Sequence, residues 1–203
     1  MNGEEIKDIK IILVGMSGTG KTNMIYALTD QKFTADSLTT TSSTFVEKFE
    51  TINNKKYRLE IWDTAGQEKF RSLTKLFVKD AKVVVFVYDI TSMESFQDLD
   101  YWIKTIYDIL GDDPILGLAG NKSDLYQNEE VKDEIGEQKA KEMKAKFKIV
   151  SAKTGQADIQ EFVNELVVDY IKKIGEYNDN NNKKKGDKLI KTKSQQPKKK
   201  NCC

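Results

Sequence analysis

The chain has 203 residues, 38% of them apolar, which suits one globular domain with a segment left over. No apolar run approaches the roughly 18 residues of a membrane span, and the N-terminus lacks the apolar region of a secretory signal, so we expect neither. The sequence contains no histidine, which excludes histidine-based catalytic triads and histidine-ligated metal sites. Its two cysteines are adjacent at the C-terminus, so we expect no ordinary structural disulfide and a reduced, cytosolic setting.

The net charge of +1 conceals two regions of opposite charge. Residues 176–203 contain nine lysines and three acidic residues, a net charge of +6. Residues 1–175 contain 24 basic and 29 acidic residues, a net charge of −5. The basic region has very few apolar side chains and cannot bury enough surface to fold alone. We therefore predict a globular domain over 1–175 and a disordered, lysine-rich tail over 176–203.

Along the domain, apolar runs alternate with segments of helical periodicity. The predicted strands are Ile11–Val14, Thr44–Thr51, Tyr57–Trp62, Lys82–Tyr88, Ile115–Ala119 and Ile149–Val150. The predicted helices are 23–28, 95–110, 132–147 and 157–174. Asn53-Asn54 indicates a hairpin turn. This alternation predicts an α/β fold with a mostly parallel sheet covered by helices on both faces, in which ligands bind beyond the carboxyl ends of the strands.

The loop after the first strand reads G-x-x-x-x-G-K-T over Gly15–Thr22 and runs into a helix, which is the arrangement of a P-loop. Its glycines let the chain pass close to phosphate oxygens, and the N-terminus of the helix adds backbone donors and a positive dipole end. Lys21 is predicted to neutralise β- and γ-phosphate charge, and the Thr22 hydroxyl to bind Mg²⁺. The alternative, a glycine-rich turn before an ordinary helix, is disfavoured by the preceding strand and the Lys-Thr pair. The loop thus predicts a triphosphate site but does not name the base.

Asp63-Thr64-Ala65-Gly66-Gln67-Glu68 follows the third predicted strand. A carboxylate that ends a strand beside a P-loop suits Mg²⁺, as a direct or water-bridged ligand. Gly66 permits a backbone N–H to approach a terminal phosphate, and Gln67 can orient an attacking water. Asp63 alone is more often a simple turn residue, but the whole hexapeptide at this place favours a role at the triphosphate.

Asn121-Lys122-Ser123-Asp124 follows the fifth predicted strand. The Asp124 carboxylate can accept hydrogen bonds from both N1–H and the 2-amino group of guanine, two donors that adenine lacks. Burying such an acceptor unpaired is costly, so this residue discriminates strongly between the bases. Ser151-Ala152-Lys153 can offer a backbone N–H to the guanine O6. Taken alone, the first of these motifs is equally well explained as a capped turn; together with the P-loop it predicts GTP.

These motifs together resemble those of the Ras-superfamily small GTPases, and most of all those of the Rab family. The resemblance covers about residues 8–174 and the chain ending. It rests on GMSGTGKT at 15–22, WDTAGQEKFR at 62–71, GNKSD at 120–124, SAK at 151–153 and the terminal Cys-Cys. It implies the P-loop NTPase fold of a small G-protein domain.

The resemblance also implies a full set of site residues. The residues implied to bind GTP or GDP are Gly15, Ser17, Gly18, Thr19, Gly20, Lys21, Thr22, Asn23, Phe33, Thr40, Asp63, Gly66, Asn121, Lys122, Asp124, Ser151, Ala152 and Lys153. Within this set, Phe33 is implied to lie against the guanine ring. The implied Mg²⁺ ligands are Thr22, Thr40 and Asp63, and the implied catalytic residues are Lys21 and Gln67. Thr40 is the implied switch threonine, flanked by Thr39 and Thr41.

The implied activity is hydrolysis of GTP to GDP and phosphate, in a switch that regulates vesicle-mediated membrane traffic. Only two arginines are present, Arg58 and Arg71, and neither lies in a loop aimed at the γ-phosphate, so we expect slow turnover without a GAP. The resemblance implies as partners an exchange factor, a GAP, effectors, a GDP-dissociation inhibitor and the prenylation machinery. The alternatives are a GTP-dependent membrane scaffold with little hydrolysis, or another P-loop NTPase.

The nine lysines of the tail are equally compatible with a solvated spacer, a nucleic-acid patch or a membrane-surface segment. Cys202-Cys203 matches the ending on which Rab proteins carry two geranylgeranyl groups, and two lipids anchor stably where one does not. The resemblance thus implies lipidation of both cysteines, no nucleic-acid partner, and a place on the cytoplasmic face of an intracellular or plasma membrane, with a cytosolic pool. Residues 41–44 and 76–80 depart from the usual Rab sequence in surfaces that related proteins use for effectors and regulators.

Overall fold

The computed structural model of the chain describes residues 6–29, 44–63 and 77–191. The strands in these ranges are β1 Lys7–Val14, β2 Thr44–Ile52, β3 Lys55–Asp63, β4 Val83–Asp89, β5 Ile115–Asn121 and β6 Lys146–Ile149. The helices are α1 Lys21–Leu28, α2 Met93–Gln97, α3 Leu99–Leu110, a 3-10 helix Ser123–Asn128, α4 Asp133–Met143 and α5 Gln156–Lys191. The chain divides into two compact units, Met1–Tyr170 and Ile171–Cys203, and the sheet belongs to the first.

The six strands form one sheet in the order β2-β3-β1-β4-β5-β6. Only β2 runs antiparallel to its neighbour, and it is joined to β3 by a turn in which Asn53 and Asn54 have φ of 51° and 59°. These left-handed values fit a two-residue hairpin turn of the type that asparagine favours. The other pairings are parallel, so the carboxyl ends of β3, β1, β4 and β5 lie at one edge of the sheet. The predicted mostly parallel sheet is confirmed.

Helices cover both faces of the sheet, as predicted. On one face, Trp102 and Ile106 of α3 and Ala140 and Met143 of α4 join a core with alternate residues of β1, β4 and β5. The opposite face of β5 packs on α5, because a Cβ added to Gly117 would lie 2.6 Å from Leu166. All seven residues of β4 are buried, as expected for a central strand covered on both faces.

The predicted helix over 95–110 is in fact two helices. The first begins after Ser92, whose hydroxyl accepts a hydrogen bond from the Ser95 N–H at 3.2 Å. Asp98 ends this short helix and begins the next, and its carboxylate accepts from the Trp102 indole at 2.8 Å. The apolar periodicity continues across this junction, which is why the sequence alone indicated one helix.

The predictions for 132–150 were also wrong in their boundaries. The helix ends at Met143, and Lys144 takes a left-handed conformation with φ of 56°. The last strand is Lys146–Ile149 rather than Ile149–Val150. Lys146 and Lys148 made this stretch look like part of a charged helix, but each forms an ion pair at 3.1 Å with a glutamate of α5.

The closing helix is longer than predicted, because it continues past Ile174 to Lys191. The backbone over 176–191 is therefore helical where the sequence predicted disorder. Helical hydrogen bonds are local and do not require a buried face, lysine favours helix, and no proline occurs between Gln156 and Pro197. Among the helices that the structure describes, none combines the length and the apolar character needed to cross a bilayer.

Candidate nucleotide-binding site

The loop between β1 and α1 depends on its glycines for both conformation and space. Gly15, Gly18 and Gly20 have φ of 146°, 82° and 93°, values that other residues rarely adopt. A Cβ on Gly15 would overlap the carbonyl oxygen of Val87, and one on Gly20 would overlap the side-chain amide of Asn121. A Cβ on Gly18 would meet nothing within 4 Å. Gly15 and Gly20 thus let the loop lie against the edge of the sheet. Gly18 is needed for its backbone conformation rather than for space.

The Lys21 side chain returns into the loop that precedes it. Its ammonium donates to the carbonyl oxygens of Gly15 and Met16, each at 2.8 Å, and the residue is only 5% exposed. The Thr19 hydroxyl donates to the same Met16 carbonyl at 3.0 Å. A buried cation is tolerated only when it is hydrogen-bonded, and these carbonyls provide the partners. The loop therefore curves around the positively charged ammonium of Lys21.

Thr22 and Asp63 meet at the start of α1 and the end of β3. The threonine hydroxyl donates to the Asp63 carboxylate at 2.7 Å, and Asp63 is 5% exposed. Both groups offer hard oxygen atoms of the kind that Mg²⁺ prefers. Since Mg²⁺ usually takes one or two protein ligands and fills its remaining positions with water and phosphate oxygens, this pair fits it.

The Asn121 side chain links the end of β5 to two loops of the site. Its amide nitrogen donates to the Thr19 carbonyl at 2.8 Å, and its amide oxygen accepts from the Ala152 N–H at 3.0 Å. The side chain therefore joins the P-loop to the loop after β6. Sequence reasoning included Asn121 among the nucleotide-binding residues but did not reveal this bracing role, which depends on a contact between residues 102 positions apart.

Asp124 is held by Ser151 from the neighbouring loop. The Ser151 hydroxyl donates to Asp124 Oδ1 at 2.6 Å and accepts from the backbone N–H groups of Lys153 and Thr154, each at 3.2 Å. The Lys153 ammonium lies 3.9 Å from the other carboxylate oxygen, Oδ2. One oxygen of Asp124 is thus fixed by the protein, which sets the direction of the other.

Most of the predicted site residues lie on this one sheet edge or in the loops that follow it. Those brought together by the contacts above are Gly15, Thr19, Gly20, Lys21, Thr22, Asp63, Asn121, Asp124, Ser151, Ala152 and Lys153. Ser17 lies in the P-loop, and Asn23 is buried in α1. Phe33, Thr40, Gly66, Gln67, Cys202 and Cys203 lie outside the described residues, so the predictions for them stay predictions.

Comparison with known proteins identifies the family of this chain. The model of the Ras family matches residues 10–173. The chain belongs to the Ras family. It is 36% identical over 209 aligned residues to Ras-related protein SEC4 of Saccharomyces cerevisiae, an alignment that spans 100% of this chain and 94% of that protein. The protein is thus a Rab-like small GTPase of the kind that regulates vesicle-mediated traffic, and it binds GTP or GDP with Mg²⁺ and hydrolyses GTP.

One charged residue of this small GTPase was missed by the sequence analysis. Asp89, the last residue of β4, lies 2.6 Å through Oδ2 from the ammonium of Lys122. The available signal was its position, because Asp89 ends an apolar strand just as Asp63 ends β3. Without the register of the sheet, nothing in the sequence connects it to Lys122.

The small GTPase also carries an aromatic surface formed by Phe45, Trp62 and Phe77. The rings of Phe45 and Trp62 stack with centroids 4.8 Å apart, and Phe77 lies 6.2 Å from Trp62. The Lys10 ammonium sits 4.6 Å from the Trp62 ring, and burial lowers the pKa of this lysine. Phe45 is 47% exposed, so this surface presents an aromatic ring to solvent.

Proposed function

We propose that this small GTPase is a membrane-attached switch that is active with GTP bound and inactive with GDP bound, and that hydrolyses GTP slowly. The observation that carries the proposal is the orientation of Asp124 by Ser151 at the same sheet edge as Lys21 and the Thr22–Asp63 pair. A carboxylate fixed in this way selects guanine, while the P-loop selects phosphates. A site with this base preference disfavours the alternative of an ATP-dependent P-loop enzyme.

The reaction is an in-line attack of water on the γ-phosphorus of GTP, which releases phosphate and leaves GDP. Lys21, held inside the loop, places positive charge where negative charge develops on the phosphate oxygens. Gln67 is proposed to orient the water. Mg²⁺ would add charge at the β- and γ-phosphates, and Thr22 and Asp63 are the described residues that would hold it.

Arg58 does not serve as a built-in cation for this reaction. It forms ion pairs with Asp8 at 2.8 Å and with Glu47 and Glu60 at 3.2 Å each. Its Cα pairs with that of Asp8 near the start of β1, whereas the P-loop follows the other end of that strand. Slow intrinsic hydrolysis, with acceleration supplied by a GAP, is therefore part of the proposal.

Replacing Gln67 with leucine should abolish most of the acceleration by a GAP while nucleotide binding is preserved. In related GTPases that acceleration reaches roughly 10⁵-fold, and it requires an oriented water. The measurement is phosphate release in a single turnover, with and without an extract that contains the GAP. Gln138→Leu is the matched control, because Gln138 is exposed on α4 and its amide contacts only Glu142 among the described residues. Unchanged kinetics for Gln67→Leu would rule out the water-positioning role.

The proposed anchor is a pair of lipids on Cys202 and Cys203, assisted by the lysines of the tail. Each lysine near an anionic surface contributes about 1 kcal/mol or less, which supports a lipid anchor but does not replace it. Changing both cysteines to serine should leave GTP and GDP affinity unchanged and move the protein from the membrane to the soluble fraction. Flotation with anionic vesicles after prenylation measures this effect. Membrane binding that persists in the serine variant would refute lipid anchoring.

The proposed partners are an exchange factor, a GAP, effectors, a GDP-dissociation inhibitor and the prenylation machinery. The aromatic surface of Phe45, Trp62 and Phe77 supports an effector that offers apolar side chains. The departures at 41–44 directly precede Phe45 in the sequence, and those at 76–80 include Phe77, which favours an effector suited to this chain. The proposed location is the cytoplasmic face of an intracellular or plasma membrane, with a cytosolic pool bound to the dissociation inhibitor.

A further inference from the structure

Asp89 and Asn121 end two neighbouring parallel strands at the edge where the nucleotide is proposed to bind. Their Cα atoms are register partners in the pairing of β4 and β5. The backbone continues this pairing for one more step, because the N–H of Ile90 donates to the carbonyl of Asn121 at 3.0 Å. The Asp89 side chain therefore starts directly beside the segment that carries Lys122 and Asp124.

The two carboxylate oxygens of Asp89 have different partners. Oδ1 accepts from the backbone N–H of Thr91 at 2.9 Å and from its hydroxyl at 2.8 Å. Oδ2 faces the Lys122 ammonium at 2.6 Å. The residue is 8% exposed, so its charge needs these partners. Because Thr91 fixes one oxygen, the other is held in one direction, toward Lys122.

Lys122 is constrained at both ends. Its backbone is left-handed, with φ of 69° and ψ of 35°, a conformation uncommon for a residue with a side chain. Its ammonium is held by Asp89, the only ion-pair partner it has among the described residues. A free lysine side chain samples many rotamers and loses that freedom when it is fixed. The Asp89 contact removes this freedom by an interaction within the protein, and such preorganisation strengthens binding.

We infer that Asp89 is a positioning residue for guanine nucleotide, which acts by holding the Lys122 side chain beside the base-selecting Asp124. This inference rests on the proposed role of Lys122 in nucleotide binding. Its consequence is kinetic. When Asp89 holds Lys122 in place, a bound nucleotide keeps its contact with Lys122 and dissociates slowly. Without Asp89, the nucleotide dissociates faster.

The Asp89→Asn variant isolates the ion pair. An asparagine carbonyl can still accept both hydrogen bonds from Thr91, while the amide group that replaces Oδ2 carries no charge for Lys122. Asp100→Asn is the matched control, since Asp100 accepts from Lys139 at 2.7 Å in an ion pair between α3 and α4. Lys122→Met removes the ammonium and completes a double-mutant cycle with Asp89→Asn.

The measurement is the dissociation rate of fluorescent GDP from the full-length protein in excess Mg²⁺. Asp89→Asn should raise this rate by about tenfold, the scale of a lost hydrogen bond to a charged group, and Asp100→Asn should not change it. In the Lys122→Met background, Asp89→Asn should have no further effect, because the two residues act as one unit. A merely structural role for Asp89 would raise the rate in both backgrounds, and that result would overturn the inference.

Other outcomes separate this inference from the proposed function. If Lys122→Met speeds GDP release and Asp89→Asn does not, the inference fails alone. If Lys122→Met has no effect, the proposed role of Lys122 fails, and the inference fails with it. Should Asp89→Asn not fold, Thr91→Val carries the test, because it removes the hydroxyl that orients the carboxylate and keeps the backbone N–H. Thr91→Val should raise the rate by about two- to threefold, a partial loss of the same interaction, and an unchanged rate would overturn the inference.

Discussion

Replacing Asp124 with asparagine should lower the affinity for GTP by roughly 10⁴-fold and create affinity for xanthosine triphosphate. Guanine presents two donors to this position, N1–H and the 2-amino group. Xanthine has an oxygen in place of that amino group. An amide can donate to this oxygen, whereas a carboxylate cannot.

The orientation of the new amide follows from Ser151. Its hydroxyl accepts two backbone N–H groups, from Lys153 and Thr154, so its own proton is available to residue 124. In the Asp124→Asn variant, the hydroxyl donates this proton to the amide oxygen, which takes the place of Oδ1. The NH₂ group is then turned to the side where Oδ2 now lies, and there it opposes the 2-amino group of guanine but can donate to the 2-oxygen of xanthine. The base preference should therefore reverse rather than simply weaken.

The test is a competition assay of GTP, xanthosine triphosphate and ATP against fluorescent GDP or fluorescent xanthosine diphosphate, whichever the variant binds. Asp112→Asn is the control, because Asp112 is exposed in the turn between α3 and β5. It should bind GTP as the wild type does. Tight GTP binding by Asp124→Asn would contradict the assignment of the base site, and with it the choice of GTP over ATP.

Replacing Thr22 with asparagine should weaken binding of Mg²⁺–GTP and favour the GDP-bound or empty protein. Thr22 presents its hydroxyl to Asp63 at 2.7 Å, so the two oxygens are already placed together for a cation. Asparagine has no hydroxyl, and its amide oxygen is one bond further from the backbone. Changes at groups that orient metal ligands cost about 10- to 100-fold in metal affinity, and we expect a loss of at least this size.

The measurement is nucleotide release over a range of Mg²⁺ concentrations. In the wild type, Mg²⁺ should slow the release of GTP, and in Thr22→Asn this dependence should be largely lost. Thr105→Asn is the matched control, since the Thr105 hydroxyl donates to the Tyr101 carbonyl within α3, away from the P-loop. Retention of normal GTP affinity and of the Mg²⁺ dependence by Thr22→Asn would show that Thr22 does not hold the cation.

The central strands were predictable because each is a short apolar run closed by a polar residue. Val83–Val87 is an example, and all of β4 is buried. The last strand was not predictable in the same way. Lys146 and Lys148 alternate with Phe147 and Ile149, and their charges suggested a surface helix. The strand forms because it pairs with β5 in the sheet, and ion pairs with Glu165 and Glu161 of α5 accommodate its two lysines.

The sequence by itself determined the class of ligand, because each motif is a short loop whose chemistry is contained in a few consecutive residues. Gly15–Thr22 indicates phosphates, and Asp124, together with this loop, indicates guanine. The tertiary structure decided how these loops are held relative to one another. Asn121 bonds to Thr19, which follows β1, and to Ala152, which follows β6, and Asp89 reaches Lys122. These contacts form because the parallel pairing of β1, β4, β5 and β6 puts their carboxyl ends side by side. Such contacts depend on strand register, which no local pattern of residues specifies.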